Sequence, residues 1–169
     1  MRKIDLIVIH CSATRVDRTL TAFDLETLHR RRGFNGTGYH YYIRKDGTTL
    51  LTRPIERIGA HVKGFNASSI GICYEGGLDC RGRPADTRTP EQKASLRLLV
   101  YQLKQRFSGC RVCGHRDLSP DLNGDGAPNT PATAEATAMT TFRIISQRDF
   151  FIAIIYTPPF RYFKRLITS

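Results

Sequence analysis

This sequence lacks the features of membrane-spanning, exported and disulfide-stabilised proteins. Its apolar runs at residues 4–9 and 150–156 are too short to span a bilayer, and no signal-peptide cleavage site precedes His10. The five cysteines are odd in number and irregularly spaced, which argues against a disulfide framework. We therefore expect a chain that is made and kept in the cytoplasm until another component releases it.

The sequence is also poor in acidic side chains. It has 15 aspartate and glutamate residues against 26 lysine and arginine residues, so its formal charge is +11. Such a charge indicates an anionic partner, but charge alone does not choose between nucleic acid, a membrane surface and a polymer of the bacterial wall. No zinc-finger spacing or aromatic-rich RNA motif accompanies the basic residues, so we expect no specific binding of nucleic acid.

Four short segments have the patterns of β-strands. Residues 4–9 are almost continuously apolar, as in a strand covered on both faces, and residues 69–74 form a second β-rich run. Residues 39–52 predict a hairpin that turns at residues 45–47. A further strand is predicted at "CRVCGH", which ends in His115.

Two helices are predicted between these strands. Residues 21–32 have mixed helical spacing and stop at Gly33. Residues 89–107 begin with Thr89 as a cap, and Gln92 completes a capping box. Strands that alternate with helices indicate an α/β domain with a central mixed β-sheet flanked by helices.

Two histidines stand at the ends of predicted strands. His10 ends "IDLIVIH", and His115 ends the last strand. Sites in α/β proteins are built at strand ends, and two neutral imidazoles meeting there, with one more protein ligand and a water, would suit zinc. From spacing alone, the alternative is that each is a lone histidine satisfied by a hydrogen bond. His29, among arginines on a predicted helix, is interpreted as a surface residue.

Four motifs occur in a fixed order along the chain: "VIHCSAT", "GYHYYIRKDGT", "GAHVKGFNASSIGICYEGG" and "GHRDLSP". Together they resemble the N-acetylmuramoyl-L-alanine amidases, the zinc-dependent type 2 amidase family that includes the peptidoglycan recognition proteins. The resemblance covers residues 4–126. It implies the fold of that family, peptidoglycan as the substrate, and hydrolysis of the amide bond between N-acetylmuramic acid and L-alanine, as in a phage endolysin or in wall turnover.

The resemblance also implies roles for single residues. His10 and His115 match the two histidine ligands of a catalytic zinc ion. Tyr39 matches a tyrosine placed beside the attacking water, where its phenol can hydrogen-bond that water or the oxyanion. His40, the neighbour of Tyr39 on a strand, faces the opposite side and is interpreted as structural.

Substrate binding is implied for a segment that follows the hairpin. In similar proteins this segment borders the substrate groove, and the matching residues here are His61, Lys63 and Asn66. We expect the domain to act as a monomer.

The pattern departs from the family after His115. Phage-type members carry a cysteine ligand in an "ACP"-like motif preceded by a lysine, whereas here no cysteine follows Cys113 and no lysine occurs between Lys104 and Lys164. Some relatives use an aspartate ten residues after the second histidine, so Asp125 is the predicted third zinc ligand, with Cys113 as an alternative. If the metal site is incomplete, the alternative function is a module that binds peptidoglycan without cutting it.

The chain changes character after residue 126. We predict an amidase domain at residues 1–126, a linker-like low-complexity segment at residues 127–140, and a basic, aromatic tail outside the family at residues 141–169. The abrupt loss of the family pattern suggests an altered reading frame or a fused segment. A functional interpretation is that residues 160–167, "FRYFKRLI", associate with an anionic membrane or wall.

Overall fold

A computed structural model of the chain describes residues 2–118. The predicted third ligand Asp125, the linker-like segment 127–140 and the tail 141–169 lie outside the described residues. No helix between residues 2 and 118 is both long and apolar enough to cross a membrane.

A five-stranded mixed sheet forms the centre of the fold. The strands of the described chain are β1 (Leu6–Cys11), β2 (Thr14–Arg15), β3 (Tyr41–Ile43), β4 (Thr49–Leu51), β5 (Ser69–Tyr74), β6 (Gly77–Leu78) and β7 (Arg111–Gly114). The central sheet has the order β4-β3-β5-β1-β7, and its strand pairs are parallel except for the antiparallel hairpin β3–β4. The short strands β2 and β6 form a separate parallel pair.

Within residues 2–118, two α-helices accompany the sheet, α1 (Ala22–Arg31) and α2 (Pro90–Arg106). Each begins with a complete capping box, in which a threonine side chain and the side chain three residues later satisfy each other's backbone N–H groups. This arrangement of a mixed sheet and helices confirms the predicted α/β class.

Alternation along β1 gives the sheet two different faces. Because successive side chains of a strand point to opposite sides, Ile7 and Ile9 join the main core. That core is completed by four residues of α2, which are Leu96, Leu99, Val100 and Leu103. His10 lies between Ile9 and Cys11, which are both in this core, and therefore projects from the other face, away from α2. The candidate site is built on that second face.

The predicted elements agree with the structure except at their ends. The predicted strand at residues 69–74 coincides with β5, whereas β1 runs through His10 to Cys11 instead of ending before it. The last strand ends at Gly114, and His115 begins a short 3₁₀ helix, His115–Leu118. The Asp117 carboxylate accepts a hydrogen bond from the Gly114 N–H at 2.7 Å, which stabilises this turn of the chain.

The prediction that His29 is a surface residue was wrong. Its side chain is buried, because it lies one helical turn after Leu25 on the face of α1 that packs inward. The ring nitrogen Nδ1 accepts a hydrogen bond from the Gly38 N–H at 2.9 Å. His29 is therefore a satisfied core histidine that ties α1 to the segment before the hairpin.

Candidate functional site

Three histidines from distant parts of the chain meet on the face of the sheet opposite α2. His10 comes from β1, His115 begins the 3₁₀ helix after β7, and His61 lies in the segment between β4 and β5. The ring centroids of His10 and His115 are 4.8 Å apart, and those of His10 and His61 are 5.0 Å apart. His10 is thus the centre of the cluster.

The strand register explains why His10 and His115 meet. β1 and β7 are parallel neighbours, and Ile9 lies opposite Gly114 at the end of their pairing. The next residue along the chain is a histidine in both cases, His10 within β1 and His115 just after β7, so the two imidazoles leave the sheet side by side. Parallel strands bring their carboxyl ends to one edge, which is where such sites form.

Both nitrogens of the His10 ring have a partner. Its Nδ1 lies 3.2 Å from Nδ1 of His115, and its Nε2 lies 3.1 Å from Nδ1 of His61. The Nε2 atom of His61 in turn lies 3.3 Å from the hydroxyl oxygen of Ser69 on β5. The three rings and the serine therefore form one continuous chain of polar contacts.

The surroundings of the cluster favour neutral imidazoles. Burial lowers the pKa of His10 well below its usual value, and repulsion from His61 and His115 lowers it further. Burial also lowers the pKa of His61 to about 3 and lowers that of His115. At neutral pH each ring consequently carries one proton and keeps one lone pair, which is the form that binds metals.

The geometry of His10 and His115 fits a zinc ion. Zinc binds imidazole nitrogen at about 2.0–2.1 Å in tetrahedral geometry, so two such nitrogens lie about 3.3 Å apart. The 3.2 Å between the two Nδ1 atoms matches this distance. His61 faces Nε2, on the other side of the His10 ring, and so is not placed to share the same ion.

The described residues supply two of the expected ligands. Between residues 2 and 118 no group of three His, Cys, Asp or Glu side chains is arranged to hold a metal ion. The alternative ligand Cys113 packs in an apolar cluster with Leu6, Val8 and Val62, and burial raises its pKa to about 11, which disfavours the thiolate that zinc requires. Asp125, outside the described residues, remains the predicted third ligand.

Tyr39 lies beside the cluster. Its ring is buried, and its centroid is 4.9 Å from that of His10. The carbonyl oxygen of Tyr39 accepts a hydrogen bond from the Thr52 hydroxyl at 2.9 Å, which ties the start of the hairpin to the chain that follows β4. The contact between the two rings places the Tyr39 side chain on the same side of the sheet as His10.

His40 is part of the internal framework. It precedes β3, so strand alternation does not apply to it, and its ring centroid lies 5.7 Å from that of His61. It is fully buried, its Nδ1 accepts a hydrogen bond from the Gly71 N–H at 3.0 Å, and its Nε2 lies 3.0 Å from the carbonyl oxygen of Arg57. With Nδ1 accepting, the neutral ring carries its proton on Nε2 and donates it to that carbonyl, although the Arg2 guanidinium, another donor, lies 2.8 Å from the same Nε2 atom.

The three residues predicted to border the substrate groove occupy different environments. Lys63 is exposed, His61 is buried in the cluster, and the Asn66 side-chain oxygen accepts hydrogen bonds from the N–H groups of His61 and Val62, each at 2.9 Å. Sequence reasoning missed the contact between His61 and His10, because nothing in the pattern of a loop indicates which way its side chains turn. Their roles in binding substrate stay predictions.

A polar cleft lies between α1 and the chain that follows β4. Its volume is about 160 Å³, and its lining includes Glu26, Arg30, Thr37, Thr52, Arg53 and Arg57. Arg30 pairs with Glu26 at 2.7 Å, and Arg53 donates to the Thr37 carbonyl at 2.8 Å. Its guanidinium groups outnumber its carboxylates, so the cleft suits an anionic group.

The chain matches a protein-family model described as N-acetylmuramoyl-L-alanine amidase over residues 1–133. It is 38% identical over 114 residues to an endolysin of Klebsiella phage KP32, covering 68% of this chain and 76% of that protein. It is 35% identical over 116 residues to an endolysin of Escherichia phage T7, covering 69% and 77%.

Solved structures with the same fold include an enzyme and a recognition protein. The N-acetylmuramoyl-L-alanine amidase LysC from Clostridium intestinale URNW superimposes with a TM-score of 0.61 at 33% identity, covering 70% of this chain and 74% of that one. The bumblebee protein PGRP-SA superimposes with a TM-score of 0.62 at 21% identity, covering 82% and 78%, and at that identity the likeness concerns the fold alone.

Proposed function

The chain belongs to the N-acetylmuramoyl-L-alanine amidase family, and we propose that it hydrolyses the amide bond between N-acetylmuramic acid and L-alanine in peptidoglycan with the help of a bound zinc ion. The observation that carries the proposal is the 3.2 Å approach of the Nδ1 atoms of His10 and His115. The relatives named endolysins favour lysis of the cell wall as the setting. We further propose that the chain reaches the wall only after its release from the cytoplasm.

The residues of the site have separate roles in this reaction. When bound, zinc supplies a Lewis acid that lowers the pKa of water and polarises the amide carbonyl. His10 and His115 would hold it through their neutral Nδ1 atoms. The Tyr39 phenol donates a hydrogen bond toward the oxygen on which negative charge develops. The leaving amine must receive the proton that the attacking water gives up, and the Tyr39 hydroxyl is a group of the described site that can relay it, taking one proton as it gives one.

The third ligand and the substrate contacts complete the proposal. Asp125 would supply a carboxylate oxygen, which is an ordinary zinc ligand. Peptide stems of the wall carry carboxylate groups, and the arginine-lined cleft beside α1 would attract them. The exposed Lys63 side chain would add a positive charge on the segment that precedes β5.

The test is to measure bound zinc and the release of free L-alanine amino groups from purified peptidoglycan. The unmodified chain should bind about one zinc ion and release amino groups, and a chelator should stop the release until zinc is restored. The substitution His10→Ala should abolish both zinc binding and release. Tyr39→Phe should retain zinc while lowering kcat by about 10²–10³-fold, since it removes a donor to the developing oxyanion.

Two controls make the result specific. Arg97→Ala changes an exposed side chain on α2, on the opposite side of the sheet, and should leave both measurements unchanged. Release that persists in the His10→Ala variant, or in the presence of chelator, would contradict the proposed site. Retention on peptidoglycan without any release of amino groups would instead favour a binding module.

A further inference from the structure

We propose that His61 is a positioning residue that fixes the tautomer and the orientation of the His10 ring. In this arrangement His10 donates its Nε2 proton to Nδ1 of His61, and His61 donates its own Nε2 proton to the Ser69 hydroxyl oxygen. The lone pair of His10 is thereby placed on Nδ1, the atom that faces His115. The tautomer assignment and its consequence for metal binding both rest on the proposed function, because the contacts alone also fit the reverse direction of these hydrogen bonds.

The direction of the hydrogen bonds follows from proton counting once Nδ1 of His10 is taken as a metal ligand. Each neutral imidazole has one N–H donor and one acceptor nitrogen. If Nδ1 of His10 is to bind a metal ion, its proton must be on Nε2, and Nδ1 of His61 must accept it. His61 then carries its proton on Nε2, where the Ser69 hydroxyl oxygen lies within 3.3 Å. The contacts admit this assignment for His10 and His61, because in the zinc-free protein Nδ1 of His10 can accept a hydrogen bond from Nδ1 of His115.

Two glycines give the His61 ring its place. A Cβ atom at Gly71, on β5, would lie 2.6 Å from Cγ and Cδ2 of His61, and one at Gly59 would lie 2.6 Å from the same Cδ2. Contacts that short do not occur between real side chains, so both positions must lack a side chain for the ring to lie against the sheet. The His61 backbone is held separately, by the Asn66 side chain.

A fixed tautomer matters for metal binding. Without an acceptor at Nε2, the free His10 ring can place its proton on either nitrogen, and the form protonated on Nδ1 cannot bind the ion. Partners that orient a ligating histidine in this way change metal affinity by about 10–100-fold when they are removed. His61 would exert this effect without touching the ion itself.

The experiment compares two substitutions of His61. His61→Leu removes the acceptor, whereas His61→Asn places an amide oxygen near the position of Nδ1. In zinc-free protein, ¹⁵N NMR of the ring nitrogens should show His10 protonated on Nε2 in the unmodified chain and a mixture of tautomers in His61→Leu. Zinc affinity, measured by competition with a chromophoric chelator, should fall about 10–100-fold in His61→Leu and recover in His61→Asn.

Two further variants keep the test decisive if His61→Leu does not fold. Ser69→Ala removes only the last partner in this series of hydrogen bonds, and it should weaken zinc binding by a smaller factor than His61→Leu. Val62→Ala loses buried apolar packing next to His61 and should lower stability with no change in the His10 tautomer.

An unaltered His10 tautomer in the His61 and Ser69 variants would overturn the proposal, even if the unmodified chain hydrolyses peptidoglycan. A chain that binds no zinc but shows these tautomer changes would overturn the proposed function alone.

Discussion

His40 shows how burial and backbone hydrogen bonds act on a single side chain. Its Nδ1 accepts from the Gly71 N–H, so a proton added there would meet another donor. Burial lowers its pKa to about 4, and repulsion from Arg2 and Arg53 acts in the same direction. The backbone carbonyl of Arg57 and the carboxylate of Glu56 oppose this shift without reversing it.

We predict that His40 makes the fold sensitive to acid. In the unfolded chain a histidine binds a proton near pH 6.5, whereas folded His40 does so only near pH 4. Between these values the unfolded state binds more protons, so the free energy of unfolding falls as the pH falls. The loss attributable to His40 is on the order of 3 kcal/mol, and urea unfolding of the zinc-free protein at pH 7, 6, 5 and 4.5 measures it.

The variant His40→Asn provides the comparison. Its amide oxygen can still accept from the Gly71 N–H, but the side chain does not titrate. The slope of unfolding free energy against pH should therefore be shallower by about one proton between pH 6.5 and 4. Equal slopes in the two proteins would show that His40 is not the titrating group.

At this scale the sequence predicted the residues that stand at strand ends and missed those placed by loops. The apolar run before His10 and the short strand before His115 identified both histidines, because a strand fixes where its last side chain goes. The position of His61 depends on Gly59 and Gly71, but a glycine two residues before a loop histidine does not by itself indicate where the ring will lie. His29 was misplaced because its arginine neighbours hid the inward face of α1.

At the scale of elements, α2 is joined to the hairpin by its first residues. The Thr89 hydroxyl accepts from the Gln92 N–H at 3.0 Å and donates to the Lys45 carbonyl at 2.7 Å. The Gln92 amide group donates to the carbonyl oxygens of Ile43 and Glu75, at the ends of β3 and β5. The N-terminus of α2 therefore connects the helix to the hairpin turn and to the ends of β3 and β5.

We predict that Thr89→Ala lowers the free energy of unfolding by about 1–2 kcal/mol, since it removes both the cap and the bond to the hairpin. Thr21→Ala is the matched comparison, because Thr21 caps α1 in the same way but at an exposed position without such a long-range bond. Thr21→Ala should lower the free energy of unfolding by about 1 kcal/mol or less. Thermal and urea unfolding measure both values, and an equal cost in the two variants would contradict the role assigned to the Lys45 contact.

The elements that the sequence predicted are those with strong local signals. The capping box and the apolar stripe defined α2 to within one residue at each end, and turn residues defined the hairpin. The paired strands β2 and β6 were not predicted, because each has only two residues and its pairing depends on the rest of the fold. The order of the strands in the central sheet could likewise not be predicted from local sequence patterns.

At the scale of the whole molecule, positive charge extends beyond the described domain. The chain has a formal charge of +11, and residues 141–169 contribute five basic and one acidic side chain. Deleting residues 141–169 leaves a formal charge of +7. Electrostatic attraction to an anionic surface grows with net charge and is screened within about 10 Å at 0.1 M salt.

We predict that deleting residues 141–169 reduces sedimentation of the protein with bacterial envelopes at low salt and that the difference shrinks as salt rises. Release of L-alanine amino groups from a small soluble muropeptide should be unchanged, because the site residues His10, Tyr39 and His115 all lie before the deleted segment. The two measurements together separate anchoring from hydrolysis.

A pair of charge-matched variants decides whether the tail acts through its own residues or only through net charge. The first variant replaces three basic residues of the tail with glutamine, which are Arg161, Lys164 and Arg165. The second variant replaces three exposed basic residues of the described domain with glutamine, which are Arg31, Arg97 and Lys104. Both lower the net charge by three. If the tail is an anchor, the first variant should lose envelope binding and the second should keep most of it. Equal losses would indicate that envelope binding follows total charge, and no loss in either variant would remove the anchoring role altogether.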